Sequence, residues 1–254
     1  MVDIHSHILW GLDDGAKSFE QSLEMLRISV ESGVTDIVAT PHSNAEYTYS
    51  PGLMRERVTQ LREAGTSMPA IHTGCDFHLS FENVDHALRE PAKYSIGGRQ
   101  YILVECPNFR VGPETETVLG RLLDTGLIPV VTHPERNPVL QRDMERLSAW
   151  VNLGCLIQVT ALSITGGFGR SAHTSAVQLL KRGIVHFVAS DAHDPVHRTP
   201  RLTDAFAQVA KLCGNEVART LFFTNPMDAL KGIPIAIKQE AAPEARRKWW
   251  SVWR

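Results

Sequence analysis

The sequence predicts a single α/β domain whose parallel strands close into a barrel of about seven (β/α) units. Short apolar runs rich in β-branched residues recur along the chain, with helical patterns between most of them. This alternation is typical of parallel strands joined by right-handed crossovers, and about seven units are enough to close a barrel. The chain has 254 residues, and α/β barrels routinely use about 250 residues as one domain.

The predicted strands follow the apolar runs in chain order. They are Met1–Ile4, Asp36–Thr40, Ala70–Cys75, Tyr101–Val104, Ile128–Thr132, Leu156–Thr160 and His186–Ser190. The first helix between them begins at a capping box formed by Ser18 and Gln21, and Gly33 can end it in left-handed geometry. Its apolar stripe consists of Leu23, Leu26 and Val30.

The composition is that of an ordinary globular protein. With 43% hydrophobic and 21% charged residues, the chain can bury a sizeable core, which excludes a disordered or collagen-like protein. The net charge of −2 argues against a nucleic-acid partner. The four cysteines form no CxxC pair, so neither a disulfide framework nor a thiolate zinc site is indicated. Without a signal peptide or an apolar run of about 18 residues, we expect a cytoplasmic protein.

The chain changes character after Gly232. Residues 1–232 contain no linker or internal repeat, so we expect one domain there and a C-terminal tail at residues 233–254. Within the tail, Arg246–Arg254 is basic and carries three tryptophans. One interpretation is a poorly ordered terminus. The other is a weak anchor that holds the protein at the surface of an anionic membrane.

Residue types that commonly bind metal ions follow almost every predicted strand. In chain order they are His5, His7, His42, Asp76, Glu105, His133, Asp191 and His193, and Asp14 lies in the loop after the first strand. The carboxyl ends of the strands in a parallel barrel meet at one rim, so these side chains are expected to converge. Imidazole and carboxylate groups bind zinc, manganese or iron, and this set is too large for one ion. We therefore expect two or three divalent ions.

Each of these signals has an ordinary structural explanation when it is taken alone. A single histidine at a strand end is commonly a hydrogen-bonded loop residue. Asp13-Asp14-Gly15 is also typical of a turn, and Ser190-Asp191-Ala192-His193 of a helix cap. However, His5 and His7 point to the same side of a strand, and the common strand-end position links the remaining residues. The metal site is therefore the better interpretation.

Four motifs in this sequence resemble those of the polymerase-and-histidinol-phosphatase (PHP) superfamily. They are Asp3-Ile4-His5-Ser6-His7, Thr40-Pro41-His42, His133-Pro134-Glu135-Arg136-Asn137 and Ser190-Asp191-Ala192-His193. Within it, Leu12-Asp13-Asp14-Gly15 and the His-Pro-Glu-Arg element resemble the bacterial manganese-dependent tyrosine-protein phosphatases of capsule and exopolysaccharide clusters, the CpsB/CapC type. The resemblance covers about residues 1–230. It implies a distorted seven-stranded TIM-like barrel with three ions, most commonly Mn and otherwise Fe or Zn.

The resemblance also assigns roles to individual residues. It implies one ion held by His5, His7 and Asp191, a second by Glu105 and His133, and a third by Asp14, His42 and His193. Asp76 stands where these phosphatases usually have a glutamate that bridges two ions, so either the strand lies closer or the shorter side chain binds one ion only. Arg136 and Arg198 match arginines that hold the substrate phosphate. The glycine-rich segment Gly166–Arg170 is a candidate lid or substrate entrance.

These roles imply phosphotyrosine hydrolysis by direct attack of a metal-bound hydroxide. The cysteines lack the spacing of thiol-based tyrosine phosphatases, and a phenolate leaves more easily than a serine alkoxide. The resemblance further implies a partner, the phosphotyrosine tail of a membrane-associated tyrosine kinase, which would place the enzyme near the inner face of the membrane. Two alternatives remain open. One is another PHP phosphoesterase, such as a histidinol-phosphate phosphatase or a phosphodiesterase, and the other is a metal-binding regulator without turnover.

Overall fold

The computed structural model describes residues 1–65 and 68–237. In this part of the chain, helices alternate with short parallel strands. The strands are β1 (Val2–Ser6), β2 (Asp36–Ala39), β3 (His42–Ser43), β4 (Ala70–Thr73), β5 (Asp76–His78), β6 (Tyr101–Glu105), β7 (Ile128–Thr132), β8 (Leu156–Thr160) and β9 (Phe187–Ala189). The fold is therefore a mixed α/β fold with parallel strands.

Helices follow most of the strands and cover the sheets. They are α1 (Phe19–Glu31), α2 (Pro51–Glu63), α3 (Phe81–Arg89), α4 (Pro91–Tyr94), α5 (Glu114–Asp124), α6 (Met144–Leu153), α7 (Ala161–Ile164), α8 (Gly169–Lys181), α9 (Thr203–Cys213), α10 (Asn215–Arg219) and α11 (Asn225–Lys231). Short 3-10 turns lie at Ile96–Gly98 and Leu140–Arg142, and a π-helical turn lies at Thr220–Thr224. None of the helices in the described residues is long and apolar enough to cross a bilayer.

The strands form two parallel sheets. One has the order β1-β2-β4 and the other the order β3-β5-β6-β7-β8-β9. The sheets meet at an isolated parallel bridge between Ser6 and Ala192. There, the His7 N–H donates to the Ala192 carbonyl at 2.8 Å and the Asp191 N–H donates to the His5 carbonyl at 2.9 Å. The ends of β1 and β9 are therefore held side by side.

Two of the predicted strands end early and are each followed by a second short strand, so the described residues contain nine strands rather than seven. The strand predicted at 36–40 ends at Ala39 and resumes at His42, because Pro41 has no N–H to donate. The strand predicted at 70–75 breaks between Thr73 and Asp76. The Asp76 N–H donates to the Pro41 carbonyl at 3.2 Å, so the two breaks lie next to each other. The bends carry His42 and Asp76 into the second sheet.

Side-chain alternation along the second sheet separates an apolar floor from a polar rim. Leu103, Val130 and Leu156 belong to one buried apolar cluster. Because every second residue faces the same side of a strand, the residues two positions further along share that face. These residues are Glu105, Thr132 and Gln158. The polar candidates therefore lie at the carboxyl ends of strands whose earlier residues fill the core.

The first helix begins as predicted. The Ser18 hydroxyl accepts a hydrogen bond from the Gln21 N–H at 3.3 Å, and Gly33 follows the helix with φ of 78°. The return bond of the capping box differs from the usual pattern, since Gln21 Oε1 accepts from the Lys17 N–H. The predicted apolar stripe is wrong at Val30, which is 38% exposed, while Met25 on the same helix is fully buried.

The predicted boundary between residues 232 and 233 stays a prediction. On its far side, the Tyr101 hydroxyl donates to the Ile233 carbonyl at 2.6 Å, and His186 Nε2 contacts the Ile237 carbonyl at 2.8 Å. The chain thus remains in contact with the body up to residue 237. The basic segment Arg246–Arg254 lies outside the described residues.

Candidate metal centre

The strand-end residues lie together at one rim. Three groups of side chains bring potential ligand atoms within 4.8 Å of one another. They are His7, Asp14, His42 and His193; His5, His7 and Asp76; and His42, Asp76 and Glu105. His7, His42 and Asp76 each belong to two groups, so the three groups form one continuous cluster.

His5 and His7 are oriented by partners outside the cluster. His5 Nδ1 lies 2.9 Å from Gln158 Oε1, and His7 Nδ1 lies 2.6 Å from Asp13 Oδ2. Because both partners are acceptors, each Nδ1 carries a proton and each Nε2 is directed into the cluster. The two Nε2 atoms face each other at 3.2 Å. Such a pair can share one proton or bind a common cation.

Asp76 lies at the centre of the cluster and is fully buried. Its Oδ2 is 3.1 Å from His42 Nδ1 and 3.6 Å from His5 Nε2. Thr132 Oγ1 donates to its other oxygen at 3.4 Å. The shorter side chain thus reaches residues of two groups, because the break before β5 brings it beside β3. Whether it bridges two ions stays a prediction.

Asp14 forms the open side of the cluster. Its Oδ1 is 3.4 Å from both His42 Nε2 and His193 Nε2, and its side chain is 46% exposed. His193 Nδ1 lies 3.0 Å from the Asp191 carbonyl, so its Nε2 also faces the cluster without a proton of its own. This group therefore opens to solvent, whereas the group around Asp76 does not.

His133 lies at the edge of the cluster. Its Nε2 is 3.9 Å from Glu105 Oε1, and its ring centroid is 5.7 Å from that of His5. His133 and Asp191 are the non-glycine residues with positive φ in the described chain, at 34° and 51°. Such backbone is costly for residues with a Cβ and is concentrated at functional sites. The two loops are thus held in unusual conformations where the predicted ligands stand.

Asp191 joins the metal-ligand cluster to the two predicted phosphate-binding arginines. Its Oδ1 is 3.5 Å from both His5 Nε2 and His7 Nε2. Its Oδ2 accepts from Arg198 Nη2 at 2.7 Å and from Arg136 Nη1. Both arginines are about a quarter exposed, with side-chain values of 27% for Arg136 and 25% for Arg198. One carboxylate therefore lies between the histidine cluster and the two arginines.

Burial and charge shift the pKa values of the cluster in opposite directions. Burial disfavours the charged form of His5, but Asp76 and Asp191 outweigh it and raise the pKa of His5 to about 9. Burial, with the negative charge of Asp76, raises the pKa of Glu105 to about 7. Burial and the positive charge of Arg136 lower the pKa of His133 to about 3. In the absence of metal, a proton is thus retained on His5 while His133 is neutral.

The donor set fits divalent transition metals. It combines imidazole nitrogens with carboxylate oxygens, the ligands used by zinc, manganese and iron. Asp76 Oδ2 and His42 Nδ1 are buried, and although they lie 3.1 Å apart, neither forms a hydrogen bond of good geometry within residues 1–65 and 68–237. Buried polar atoms in this state are costly unless a further partner satisfies them. A cation between these two atoms would satisfy both.

Asp13 and Gln158 were missed as site residues. Asp13 also accepts from the His42 N–H at 3.0 Å and the Gly15 N–H at 2.9 Å. Burial would raise the pKa of Asp13, but His7 outweighs it and lowers that pKa to about 2. The Asp13-Asp14 pair was a usable signal, because one carboxylate can orient a histidine while its neighbour binds metal. Gln158 carried no comparable signal.

Asp194 directly follows His193 in the loop that also carries Arg198. Its carboxylate accepts backbone N–H bonds from Val196 at 2.8 Å, His197 at 2.6 Å and Arg198 at 3.2 Å. Burial would raise its pKa, but these bonds outweigh it and lower the pKa of Asp194. A carboxyl group that stays ionised is a poor general acid. Asp194 therefore shapes the loop that presents Arg198.

Comparisons with known proteins identify relatives of this chain. The family model described as capsular polysaccharide synthesis, CpsB/CapC, matches residues 1–231. The chain is 33% identical over 252 residues to the tyrosine-protein phosphatase YwqE of Bacillus subtilis (strain 168), covering 98% of each protein. It is 29% identical over 235 residues to the tyrosine-protein phosphatase CpsB of Streptococcus pneumoniae, covering 89% of this chain and 96% of that one.

The structure also matches a crystal structure from work on YwqE of Bacillus subtilis and CpsB of Streptococcus pneumoniae, described as unique metal-dependent tyrosine phosphatases. The TM-score is 0.88 with 32% sequence identity, over 97% of this chain and all of that one. The family match covers residues 1–231, which is the range in which all the predicted ligands lie. The chain therefore belongs to the CpsB/CapC family of capsular polysaccharide synthesis.

Proposed function

We propose that this protein is a metal-dependent protein-tyrosine phosphatase that hydrolyses phosphotyrosine. The observation that carries the proposal is the double role of Asp191, which faces His5 and His7 with one oxygen and both arginines with the other. A phosphate monoester carries nearly two negative charges at neutral pH. Binding of such an ester is favoured where metal cations and guanidinium groups lie side by side. The histidines and arginines on either side of Asp191 support that arrangement.

The predicted ligands would hold the metal ions. They are His5, His7, Asp14, His42, Asp76, Glu105, His133, Asp191 and His193. We propose three divalent ions, with Mn as the first candidate and Fe or Zn as the others. When bound, such ions supply positive charge to the phosphoryl oxygens and lower the pKa of water. His5 and His7 are already oriented for this task by Gln158 and Asp13.

Arg136 and Arg198 bind the phosphoryl oxygens of the substrate. Arginine has five N–H donors in a planar fork, so each can keep a bond to Asp191 and donate to the substrate as well. Arg198 Nε is buried and has no partner within the described residues. Donors that are already in place when charge develops in the transition state contribute most to rate.

The attacking oxygen comes from water rather than from a protein thiol. All four cysteines are buried. Burial raises the pKa of both Cys106 and Cys155 to about 12 and that of Cys75 well above its usual value. A buried protonated thiol is not a nucleophile. Water therefore attacks phosphorus, the P–O bond to the tyrosine oxygen breaks, and the products are phosphate and tyrosine.

The other functions considered for the sequence are less well supported. The relatives are tyrosine-protein phosphatases rather than histidinol-phosphate phosphatases or phosphodiesterases. A metal-binding regulator without turnover would not need Arg136 and Arg198 beside the cluster. The family match to capsular polysaccharide synthesis supports a further proposal, in which the substrate is the phosphotyrosine tail of a membrane-associated tyrosine kinase. We place the enzyme in the cytoplasm, at the inner face of the membrane.

We also propose that the two sheets form one distorted seven-stranded barrel. The bends at Pro41 and between Thr73 and Asp76 continue two strands of the first sheet into the second. The hydrogen bonds between residues 5–7 and 191–192 support the remaining junction. The phosphatase domain would comprise residues 1–232.

The function is tested with metal-depleted protein and a panel of phosphate esters. Adding manganese should restore hydrolysis of para-nitrophenyl phosphate and of phosphotyrosine peptides, with much less activity on phosphoserine peptides, histidinol phosphate and phosphodiesters. Arg136→Ala should lower kcat/KM at least a hundredfold while metal content is unchanged, because it removes charge stabilisation and no metal ligand. Preference for another ester, or wild-type kcat/KM in the variant, would contradict the proposal.

A further inference from the structure

The glycine-rich segment after β8 places one aromatic ring beside the arginines. Phe168 lies in the turn between α7 and α8, and its side chain is half-buried. The guanidinium carbon of Arg136 lies 4.2 Å from the centroid of its ring, and that of Arg198 lies 5.6 Å from it. The same two guanidinium groups donate to Asp191. Each is thus held by a carboxylate and an aromatic ring.

The backbone of this turn is built to hold the ring in that place. Gly166 and Gly169 have φ of 90° and 86°, which residues with a Cβ rarely adopt. The Gly167 N–H donates to the Leu162 carbonyl at 2.8 Å, and a Cβ on Gly167 would lie 2.5 Å from Leu162 Cγ. Three glycines are therefore needed for a tight turn whose one large side chain is Phe168.

We propose that Phe168 is a positioning residue that aligns Arg136 and Arg198 for the substrate phosphate. The inference rests on the proposed function, because it assumes that these arginines bind phosphate. A guanidinium group packed with its face on an aromatic ring presents its N–H donors sideways. The ring restricts the rotation of two long side chains before substrate arrives, and such preorganisation favours binding and catalysis.

A positioning role for Phe168 differs from a role in recognising the tyrosine ring of the substrate, and the two roles predict different results. If the ring acts through the arginines, its loss weakens every phosphate ligand equally, including inorganic phosphate. If it contacts the aryl group instead, only aryl esters are affected. Inorganic phosphate is therefore the decisive probe.

The test compares metal-loaded wild-type protein with Phe168→Leu, which keeps apolar bulk without an aromatic face, and Phe168→Tyr, which restores that face. We expect Phe168→Leu to weaken inorganic phosphate binding about tenfold, because it removes the cation–π contacts of both Arg136 and Arg198. We expect a similar fall in kcat/KM for para-nitrophenyl phosphate and for an alkyl phosphate. Phe168→Tyr should stay within about twofold of wild type.

The matched control is Phe223→Leu. Arg219 lies 5.6 Å from the Phe223 ring centroid, so this change removes a contact of the same kind at the π-helical turn, outside the metal centre. It should leave phosphate binding and turnover unchanged. Circular dichroism and metal analysis confirm that every variant is folded and loaded.

Each outcome decides the inference. Unchanged phosphate affinity in Phe168→Leu overturns it, as does a loss confined to aryl esters or a failure of Phe168→Tyr to restore binding. If wild-type protein binds phosphate but hydrolyses no ester, the proposed function fails, and the affinity ratio still decides the role of Phe168. If wild-type protein binds no phosphate, both fail.

Discussion

At the scale of single residues, His5 and His7 are oriented by partners that lie outside the three groups of potential ligands. The Asp13 carboxylate accepts a hydrogen bond from Nδ1 of His7 and another from the backbone N–H of His42. Two members of the cluster, one directly after β1 and the other at the start of β3, are therefore fixed by one carboxylate. Partners of this kind commonly change metal affinity by 10- to 100-fold when they are removed.

Asp13→Asn should therefore weaken metal binding by about tenfold or more while the fold is retained. The amide lacks the negative charge that fixes the protonated Nδ1 of His7, and one of its two ends is a donor. Metal titration of the depleted variant measures the effect. Asp204→Asn, at an exposed position in the first turn of α9, is the control and should bind metal like wild type. Equal affinities in both variants would show that Asp13 only shapes its turn.

Metal uptake should depend on pH through His5. Its pKa in the metal-free protein is raised to about 9, since the attraction of Asp76 and Asp191 exceeds the opposing effect of burial. A metal ion that uses His5 Nε2 must displace that proton, so affinity should rise with pH up to about pH 9 and level off above it. The expected slope is roughly tenfold per pH unit for each proton released. A flat affinity between pH 7 and 9 would mean that metal binds without displacing the proton of His5.

The sequence predicted which residue types gather at the rim but not how they are held. His5, His7, Asp76 and Glu105 could be proposed as partners because strand ends converge in a parallel fold, and the structure brings them together. Their roles as ligands stay predictions. Gln158 could not be found in this way, since its contact with His5 depends on register across residues that lie far apart in sequence. The positive φ of His133 and Asp191 also has no sequence signal of its own.

At the scale of elements, the loop after β1 packs so closely on the end of that strand that one position has no room for a side chain. Gly15 follows Asp13 and Asp14 and packs directly on the end of β1. A Cβ at Gly15 would lie 2.2 Å from the His7 carbonyl oxygen and 2.5 Å from His7 Cβ. The turn predicted for Asp13-Asp14-Gly15 is thus a place where only glycine fits.

Gly15→Ala should displace this turn and with it both aspartates. We expect a loss of metal affinity of at least tenfold and a lower free energy of unfolding, because the clash is with backbone and cannot be relieved by a rotamer change. Gly120→Ala in α5 is the matched control, since no atom lies within 4 Å of its added Cβ. It should be neutral or stabilise by up to about 1 kcal/mol. Metal analysis and denaturant unfolding of both variants give the answer.

The interruptions of the second and third predicted strands show where sequence patterns reach their limit. Apolar periodicity predicts one extended run at 36–40 and another at 70–75, and both regions are indeed extended. Pro41 was a visible signal for the first break. The second break has no such signal, because the Asp76 N–H bonds to the carbonyl of Pro41, in the break between β2 and β3. Whether a segment is extended can be predicted from local sequence. The bend that positions Asp76 cannot, because it depends on a hydrogen bond to Pro41, which lies far away in the sequence.

His186 connects β8, β9 and the segment after α11 in its neutral form. Its Nδ1 accepts from the Ile157 N–H at 3.1 Å, and its Nε2 donates to the Ile237 carbonyl at 2.8 Å. Burial lowers the pKa of His186 to about 4, against about 6.5 in the unfolded chain. Between these values the unfolded chain binds the extra proton, so stability is present above about pH 6.5 and falls as pH decreases towards 4.

We therefore expect His186 to remove about 3 kcal/mol of stability from the metal-free protein between pH 7 and pH 4. His186→Gln should be less stable than wild type at pH 7 but should lose less stability on acidification, because glutamine does not titrate. Denaturant unfolding with a chelator present measures both proteins at each pH. Parallel pH profiles would show that other groups cause the acid sensitivity.

At the scale of the whole molecule, the fold collects charge at one rim. Asp13, Asp76 and Asp191 are buried there, although the chain as a whole has a net charge of only −2. Concentrated carboxylates attract divalent ions, and in the proposed function the arginines beside Asp191 bind the anionic ester at the same rim. Long-range attraction to a membrane has to come from another part of the chain, and Arg246–Arg254 is the basic segment available in the sequence.

The segment Arg246–Arg254 lies outside the residues that the structure describes. Each basic residue near an anionic membrane contributes about 1 kcal/mol, and tryptophan favours the headgroup region, so one short segment gives weak and reversible binding. Deleting residues 240–254 should reduce sedimentation with anionic liposomes and leave hydrolysis of a soluble phosphotyrosine peptide unchanged. Replacing Arg246, Arg247 and Lys248 by glutamine should give most of the same loss, and neutral liposomes should bind neither protein well. If the truncated and full-length proteins sediment equally with anionic liposomes, the tail is not an anchor, and any approach to a membrane-bound kinase depends on the rim and its substrate alone.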